Sequence, residues 1–149
     1  MTRDEYFMTL ALREAEAAAA EEETPIGAVV VRGDEVIAAA HNGREWSLDI
    51  TAHAELSAIR AAERAMGDWR LSDCTLYVTL EPCPMCAGGI LASRIGRVVY
   101  GAKDPVAGAM GSVLNLPRYP LGTRPEVVPL VLEEECRTLL QQFFKERRK

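Results

Sequence analysis

The chain is 149 residues long, 48% hydrophobic and 26% charged, with a formal net charge of −5, which fits one domain with a sizeable core. The acidic balance excludes nonspecific nucleic-acid binding by the surface as a whole and leaves any such contact to a local basic patch. No apolar run approaches the length that spans a bilayer, the N-terminal Met1-Thr-Arg-Asp-Glu5 is too charged for a signal peptide, and four cysteines suit a reducing compartment; a cytoplasmic protein is predicted.

From about Arg3 to Glu23, Phe7, Leu10, Ala11, Ala15, Ala18 and Ala19 recur at helical spacing. They predict an amphipathic helix ended by Thr24-Pro25, with its glutamates on a solvated face. Ile26 to Arg32 and Glu35 to His41 are apolar runs joined by Gly33-Asp34, a hairpin pattern, and Gly27 marks a close approach of another backbone. Asn42 reads locally as a turn residue closing the second strand, and a polar loop with Trp46 follows. A helix is predicted from about Ala52 to Met66, burying Leu56, Ile59, Ala62 and Met66, with Arg60, Glu63 and Arg64 in solvent and Gly67-Asp68 as its stop.

Thr75 to Leu80 then reads as a strand, Pro84 to about Ser93 as a helix with Ile90 and Leu91 inward, and Arg97 to Tyr100 as a strand. Strand, helix, strand at this length is a crossover that joins a parallel pair. Gly101 to Glu126, rich in glycine and proline, reads as a long loop, and such loops in a compact domain are more often functional than idle. Val127 to Leu132 is predicted as a last strand, and Glu133 to Arg148 as a last helix with Cys136, Leu139, Leu140, Phe143 and Phe144 as its apolar residues. Cys74 and Cys136 read as small core residues.

The chemistry concentrates in Thr51-Ala-His-Ala-Glu55 and Leu80-Glu-Pro-Cys-Pro-Met-Cys86. One imidazole and two thiols are three good zinc ligands, and three protein ligands leave a tetrahedral ion one place for water. Glu55 is then the proton carrier. Pro84 suits the first position of a helix, which makes Cys83 its cap and Cys86 its third residue, so both sulfurs face one point beyond the helix end. The partial positive charge there favours thiolate, the form that binds metal. His53 and Glu55 would diverge by roughly 200° in mid-helix, so they converge only near a helix start, with Thr51 or Asp49 as its cap. His-x-Glu followed by Pro-Cys-x-x-Cys is the known signature of the zinc-dependent nucleobase and nucleoside deaminases. A closed structural zinc knot would want a fourth ligand, and His41, Cys74 and Cys136 sit in no ligand pair.

With these residues assembled, the chain resembles the bacterial tRNA-specific adenosine deaminase family over almost its whole length. The matching stretches are Pro25-Ile-Gly-Ala28, Thr51 to Glu55, Leu76 to Cys83, Met85-Cys-Ala-Gly88, Ser93 to Val99, Gly101-Ala-Lys-Asp104 and Phe143-Phe-Lys-Glu-Arg-Arg148. The resemblance implies the cytidine-deaminase-like three-layer α/β/α sandwich with a five-stranded mixed sheet, one zinc-dependent deaminase domain over residues 1–149, a homodimer, and hydrolytic conversion of the wobble adenosine (position 34) of a tRNA anticodon loop to inosine. It implies one Zn2+ per subunit held by His53, Cys83 and Cys86, Glu55 as acid and base, and Asn42 as a purine contact, which reverses the local reading of Asn42. Asp104 is implied to meet the anticodon loop, and Phe144, Arg147 and Arg148 the flanking nucleotides; the tail's other reading is a solvated helix end. Val106 stands where many relatives carry Lys, and Gly122-Thr123 where they carry Asn-His, both in the family's substrate-facing loop.

Two rival functions remain open on sequence. One is a deaminase of a free nucleobase or nucleotide, of guanine or cytosine type, on the same fold. The other is a noncatalytic zinc-containing RNA-binding subunit, which would be expected to have lost the carboxylate that Glu55 supplies.

Overall fold

In a computed structural model, residues 1–147 are described, so the predicted tail residue Arg148 lies outside the described residues. Among the described residues five α-helices and five strands follow in chain order, with a short 3-10 helix at Leu116–Arg118 in the loop before β5: α1 Arg3–Ala20, β1 Gly27–Arg32, β2 Glu35–His41, α2 Arg44–Ser47, α3 Ala54–Met66, β3 Cys74–Leu80, α4 Pro84–Ala92, β4 Arg97–Ala102, β5 Glu126–Val128 and α5 Glu133–Arg147. The strands form one sheet in the order β2-β1-β3-β4-β5. β1 runs antiparallel to both β2 and β3, whereas β3, β4 and β5 run parallel. The predicted five-stranded mixed sheet and its parallel crossover are both present.

Alternation along the strands sorts the core into two layers. Ala28, Val30, Leu76, Val78, Val98 and Tyr100 pack on α3 and α4 with Ala58, Ile59, Ala62, Ala87 and Ile90. Val29, Val31, Tyr77, Val99 and Ala102 pack on α1 and α5 with Phe7, Met8, Ala11 and Cys136. Fully burying one side chain such as Leu76 or Ile90 is worth roughly 1.5–3 kcal/mol, so this two-faced burial outweighs any single turn or cap in holding the sandwich. Gly27 is where α1 comes closest: a Cβ there would strike the Ala11 carbonyl and the Ala15 nitrogen.

Four local expectations need correction. Helix α3 begins at Ala54 with His53 as N-cap, and neither Thr51 nor Asp49 caps it. The Asp49 carboxylate instead accepts from the Thr51 backbone (2.9 Å) and hydroxyl (2.7 Å), closing its own turn. The last strand is Glu126–Val128, shorter than Val127 to Leu132, because Pro129 has no N–H to give a ladder and Leu130 and Leu132 take positive φ. The loop holding Trp46 contains the short helix α2. Glu23 is not part of a solvated face; it is 2% exposed and accepts the backbone N–H groups of Glu45 and Trp46, both at 3.0 Å, which caps α2. Among the described residues no helix is long and apolar enough to cross a membrane.

Candidate active site

The chemistry gathers where the N-termini of α3 and α4 meet the C-terminal end of β3. His53 is the N-cap of α3 and Glu55 its second residue, so the chain is still turning into the helix and the two side chains do not diverge as they would in mid-helix. Cys83 is the N-cap of α4, Pro84 occupies its first turn, and Cys86 is its third residue, as the spacing predicts. Strand β3 delivers this turn, and open α/β sheets place their sites at such carboxyl ends.

His53 Nδ1 lies 3.6 Å from Cys83 Sγ and 3.5 Å from Cys86 Sγ. All three ligating atoms fall within 4.8 Å of one another. With Zn–S near ~2.3 Å and Zn–N near ~2.0 Å, the N···S edge of a tetrahedron is about 3.6 Å, so the observed spacing fits a zinc ion directly. The protons tell the same story. The Cys83 thiol is pulled down to about 4, first by the hydrogen bond from Cys86 and then by His53, against burial. His53 is raised above its ordinary value, chiefly by its hydrogen bond to Cys83. Cys86, donating to Cys83 and buried, is pushed far up. The lowered Cys83 thiol favours the thiolate, the form that binds metal. His53, Cys83 and Cys86 are the zinc-binding triad, with nitrogen and sulfur donors suited to the metal.

Glu55 is 4% exposed, and burial pushes its carboxyl up to about 7. The Cys83 charge adds to that rise, while a backbone N–H, His53 and Cys86 pull it down. A carboxyl poised near neutrality both takes and returns a proton readily. Asn42, at the end of β2, is buried; its Oδ1 accepts the Ala54 N–H at 2.9 Å. That bond supplies the cap that Thr51 and Asp49 do not, and leaves the side-chain N–H groups as what Asn42 offers to anything else.

The remaining predicted residues lie on loops and on α5. Asp104 Oδ1 accepts from Val106 (3.0 Å) and Ala107 (3.2 Å), and its own N–H donates to Glu81 at 3.1 Å. Phe144 is half exposed and lines a groove of about 470 Å³ with Lys103, Arg137, Leu140 and Lys145. Arg147 sits over the Phe143 ring at 4.5 Å and donates to the Glu22 carbonyl. It also shares a surface with Glu45 and Trp46. Helix α5 therefore passes Lys103 and ends beside the α2 loop that follows Asn42.

Two carboxylates that organise the surroundings were not marked as such by the sequence reading. Glu23 fixes the α2 loop beside Asn42. Glu81, one residue before Pro82-Cys83, is 1% exposed and collects donors from the loop after β4. The available signal for Glu81 was a charge placed directly against a ligand pair. For Glu23, next to Thr24-Pro25 at a helix end, no periodic signal existed.

Comparison with known proteins agrees with this geometry. The sequence profile described as the cytidine and deoxycytidylate deaminase zinc-binding region matches residues 1–102. A tRNA-specific adenosine deaminase of Bacillus subtilis (strain 168) is 51% identical over 150 residues, covering 100% of this chain and 93% of that protein. A solved structure from a study of A-to-I editing by tRNA:A34 deaminases superposes with a TM-score of 0.88 at 45% identity, covering 91% of this chain and 99% of that one. Guanine deaminase from Bacillus subtilis superposes at 0.66 with 41% identity, covering 69% of this chain and 66% of that one. With its profile match, its full-length relative and its nitrogen and sulfur triad all in accord, the chain belongs to the cytidine and deoxycytidylate deaminase zinc-binding family, among the tRNA-specific adenosine deaminases.

Proposed function

We propose that this protein is a single-domain hydrolase that converts the wobble adenosine of a tRNA anticodon loop to inosine, releasing ammonia. The observation that carries the reading is the three-donor set at tetrahedral spacing with buried Glu55 two residues after His53. When bound, zinc supplies a water whose pKa is lowered to about 7, a nucleophile available at neutral pH.

The chain's own residues do the rest. Glu55 takes the proton of the attacking water and passes it to N1 of the adenine as the new bond forms at C6. It then takes the remaining proton of the new C6 hydroxyl and gives it to the amino group as the C6–N bond breaks, so water and adenosine give ammonia and inosine. Asn42, its oxygen committed to the Ala54 N–H, donates to an acceptor on the purine. A base inside an anticodon loop must be turned out of its stack to reach the metal. Asp104, Phe144 and Arg147 hold the nucleotides around it. The groove beside Phe144, with Lys103, Arg137 and Lys145, supports the role of Phe144, because it concentrates positive charge on a chain of net charge −5. The resemblance to the family and the exposed apolar residues Trp46, Leu48 and Ile50 support a homodimer, and the composition supports a cytoplasmic location.

The likeness to guanine deaminase over about two thirds of the chain favours one second reading, deamination of a free base. A panel of anticodon stem-loops and free nucleobases, scored by mass for exchange of an amino group for oxygen, separates the two. Inosine in a stem-loop carrying adenosine at the wobble position is the expected result; turnover of free guanine alone would overturn it.

A further inference from the structure

The segment 81–83 carries more than a metal ligand. Glu81 Oε1 accepts from the Asp104 N–H (3.1 Å) and from the Ser112 hydroxyl. Its Oε2 accepts from the N–H groups of Met110 and Ser112, both at 3.0 Å. The neighbouring Pro82 carbonyl accepts the Ala109 N–H at 2.8 Å, and the Glu81 N–H donates to the Ala102 carbonyl at 2.8 Å. One buried carboxylate thus gathers four donors from residues 104–112. The packing leaves no slack: a Cβ on Gly108 would lie 2.5 Å from both the Glu81 carboxylate and the Asp104 carbonyl. A carboxylate is required there, because it is acceptor-only and all four groups facing it are donors. An amide would turn an N–H against at least one of them.

We propose that Glu81 is a positioning residue for substrate: it fixes the loop 104–112, and with it Asp104, in register with the metal-bearing turn that begins two residues later. Binding of the RNA-embedded base depends on this register, whereas the triad's own geometry does not. Strand β3 and the α4 cap place Cys83 and Cys86, and none of the Glu81 bonds touches a triad residue. The loop's part in substrate binding rests on the function proposed above. The clamp itself rests only on the hydrogen bonds.

The test is Glu81→Gln, with Ser112→Ala as a milder second variant at an exposed residue that withdraws one donor and leaves the backbone intact. Zinc per chain and the visible spectrum of the cobalt-substituted protein should match the parent. Amide exchange at Asp104, Met110 and Ser112 should quicken about tenfold or more in Glu81→Gln. KM for an anticodon stem-loop should rise about tenfold with kcat within about threefold, and Ser112→Ala should move both readouts the same way by less. An altered cobalt spectrum or lost zinc would assign Glu81 to the metal centre and overturn the proposal. So would unchanged KM in a parent that does edit the stem-loop. Should Glu81→Gln fail to fold, unchanged exchange and KM in Ser112→Ala would overturn it instead. If the parent does not edit stem-loops at all, the function proposed above fails, and the exchange rates alone still decide the clamp.

Discussion

Asn42 Oδ1 accepts the Ala54 N–H at 2.9 Å, so an amide at the end of β2 caps the helix that carries His53 and Glu55. The two residues are twelve apart in sequence, and their bond fixes the first turn of α3 against the sheet edge. It separates two duties of Asn42, the observed cap through its oxygen and the purine contact proposed above through its nitrogen.

Asn42→Ala should lose both duties. The missing cap costs about 0.5–2 kcal/mol of stability, in line with other N-cap removals. Asn42→Asp keeps an acceptor at a helix N-terminus, where negative charge is favourable, yet has no N–H for the purine. Thermal melts should therefore place Asn42→Asp near the parent and Asn42→Ala below it, while kinetics on a stem-loop leave both impaired. Equal activity in the Asp variant and the parent would remove Asn42 from substrate binding.

Glu55→Ala should retain zinc, since the triad does not include it. General acid and base catalysis contributes about 10²- to 10⁴-fold, and kcat should fall by that order. Metal content by elemental analysis, measured beside single-turnover rates, checks both halves of the statement. A near-parental rate would assign proton transfer to another group.

Metal removal should abolish turnover and lower the melting temperature together. The triad ties the N-termini of α3 and α4 to one point, and a ligand bound only by the folded state at a thousand times its Kd adds about 4 kcal/mol. Dialysis against a chelator followed by melts with and without added zinc gives the comparison. Restored turnover without a restored melting temperature would mean that the ion does not brace these two helices.

His41 sits between Glu14 (2.7 Å) and Glu21 (3.2 Å) on α1 and just beyond it. Burial alone would lower its pKa, but the hydrogen bonds and charges of the two glutamates win and hold it above its ordinary value. A group raised on folding contributes stability that is fully present below its unfolded pKa, about 6.5, and is lost as pH rises through the folded value. The melting-temperature gap between the parent and His41→Asn should therefore be widest below about pH 6.5 and narrow above it. A gap that widens with pH would refute the assignment.

How much of this was open to a reader of the chain depends on whether each interaction leaves a local mark. His53, Glu55, Cys83 and Cys86 were legible because their convergence is set by helix starts, and helix starts leave local marks such as Pro84 directly after Cys83. Gly27 was legible as a close approach because only a residue without Cβ fits between β1 and α1. Val127 to Leu132 was misjudged in length because β-branched and apolar residues suggested a strand that Pro129 interrupts. Asp49 and Thr51 carry the chemistry of caps, yet they bond to each other.

The order of residues determined the alternating strands, the crossover, the three metal-binding side chains and the carboxylate proposed for proton transfer, since each leaves a local mark such as a period, a hairpin turn or a helix start, even where the residues that meet are 30 and 33 apart. Only the folded chain decided that Asn42 caps α3, that Glu23 holds the α2 loop and that Glu81 gathers residues 104–112. Those bonds join residues 12 to 31 positions apart. A polar side chain meets such a partner only after the sheet has brought distant loops together, and no spacing along the chain records it.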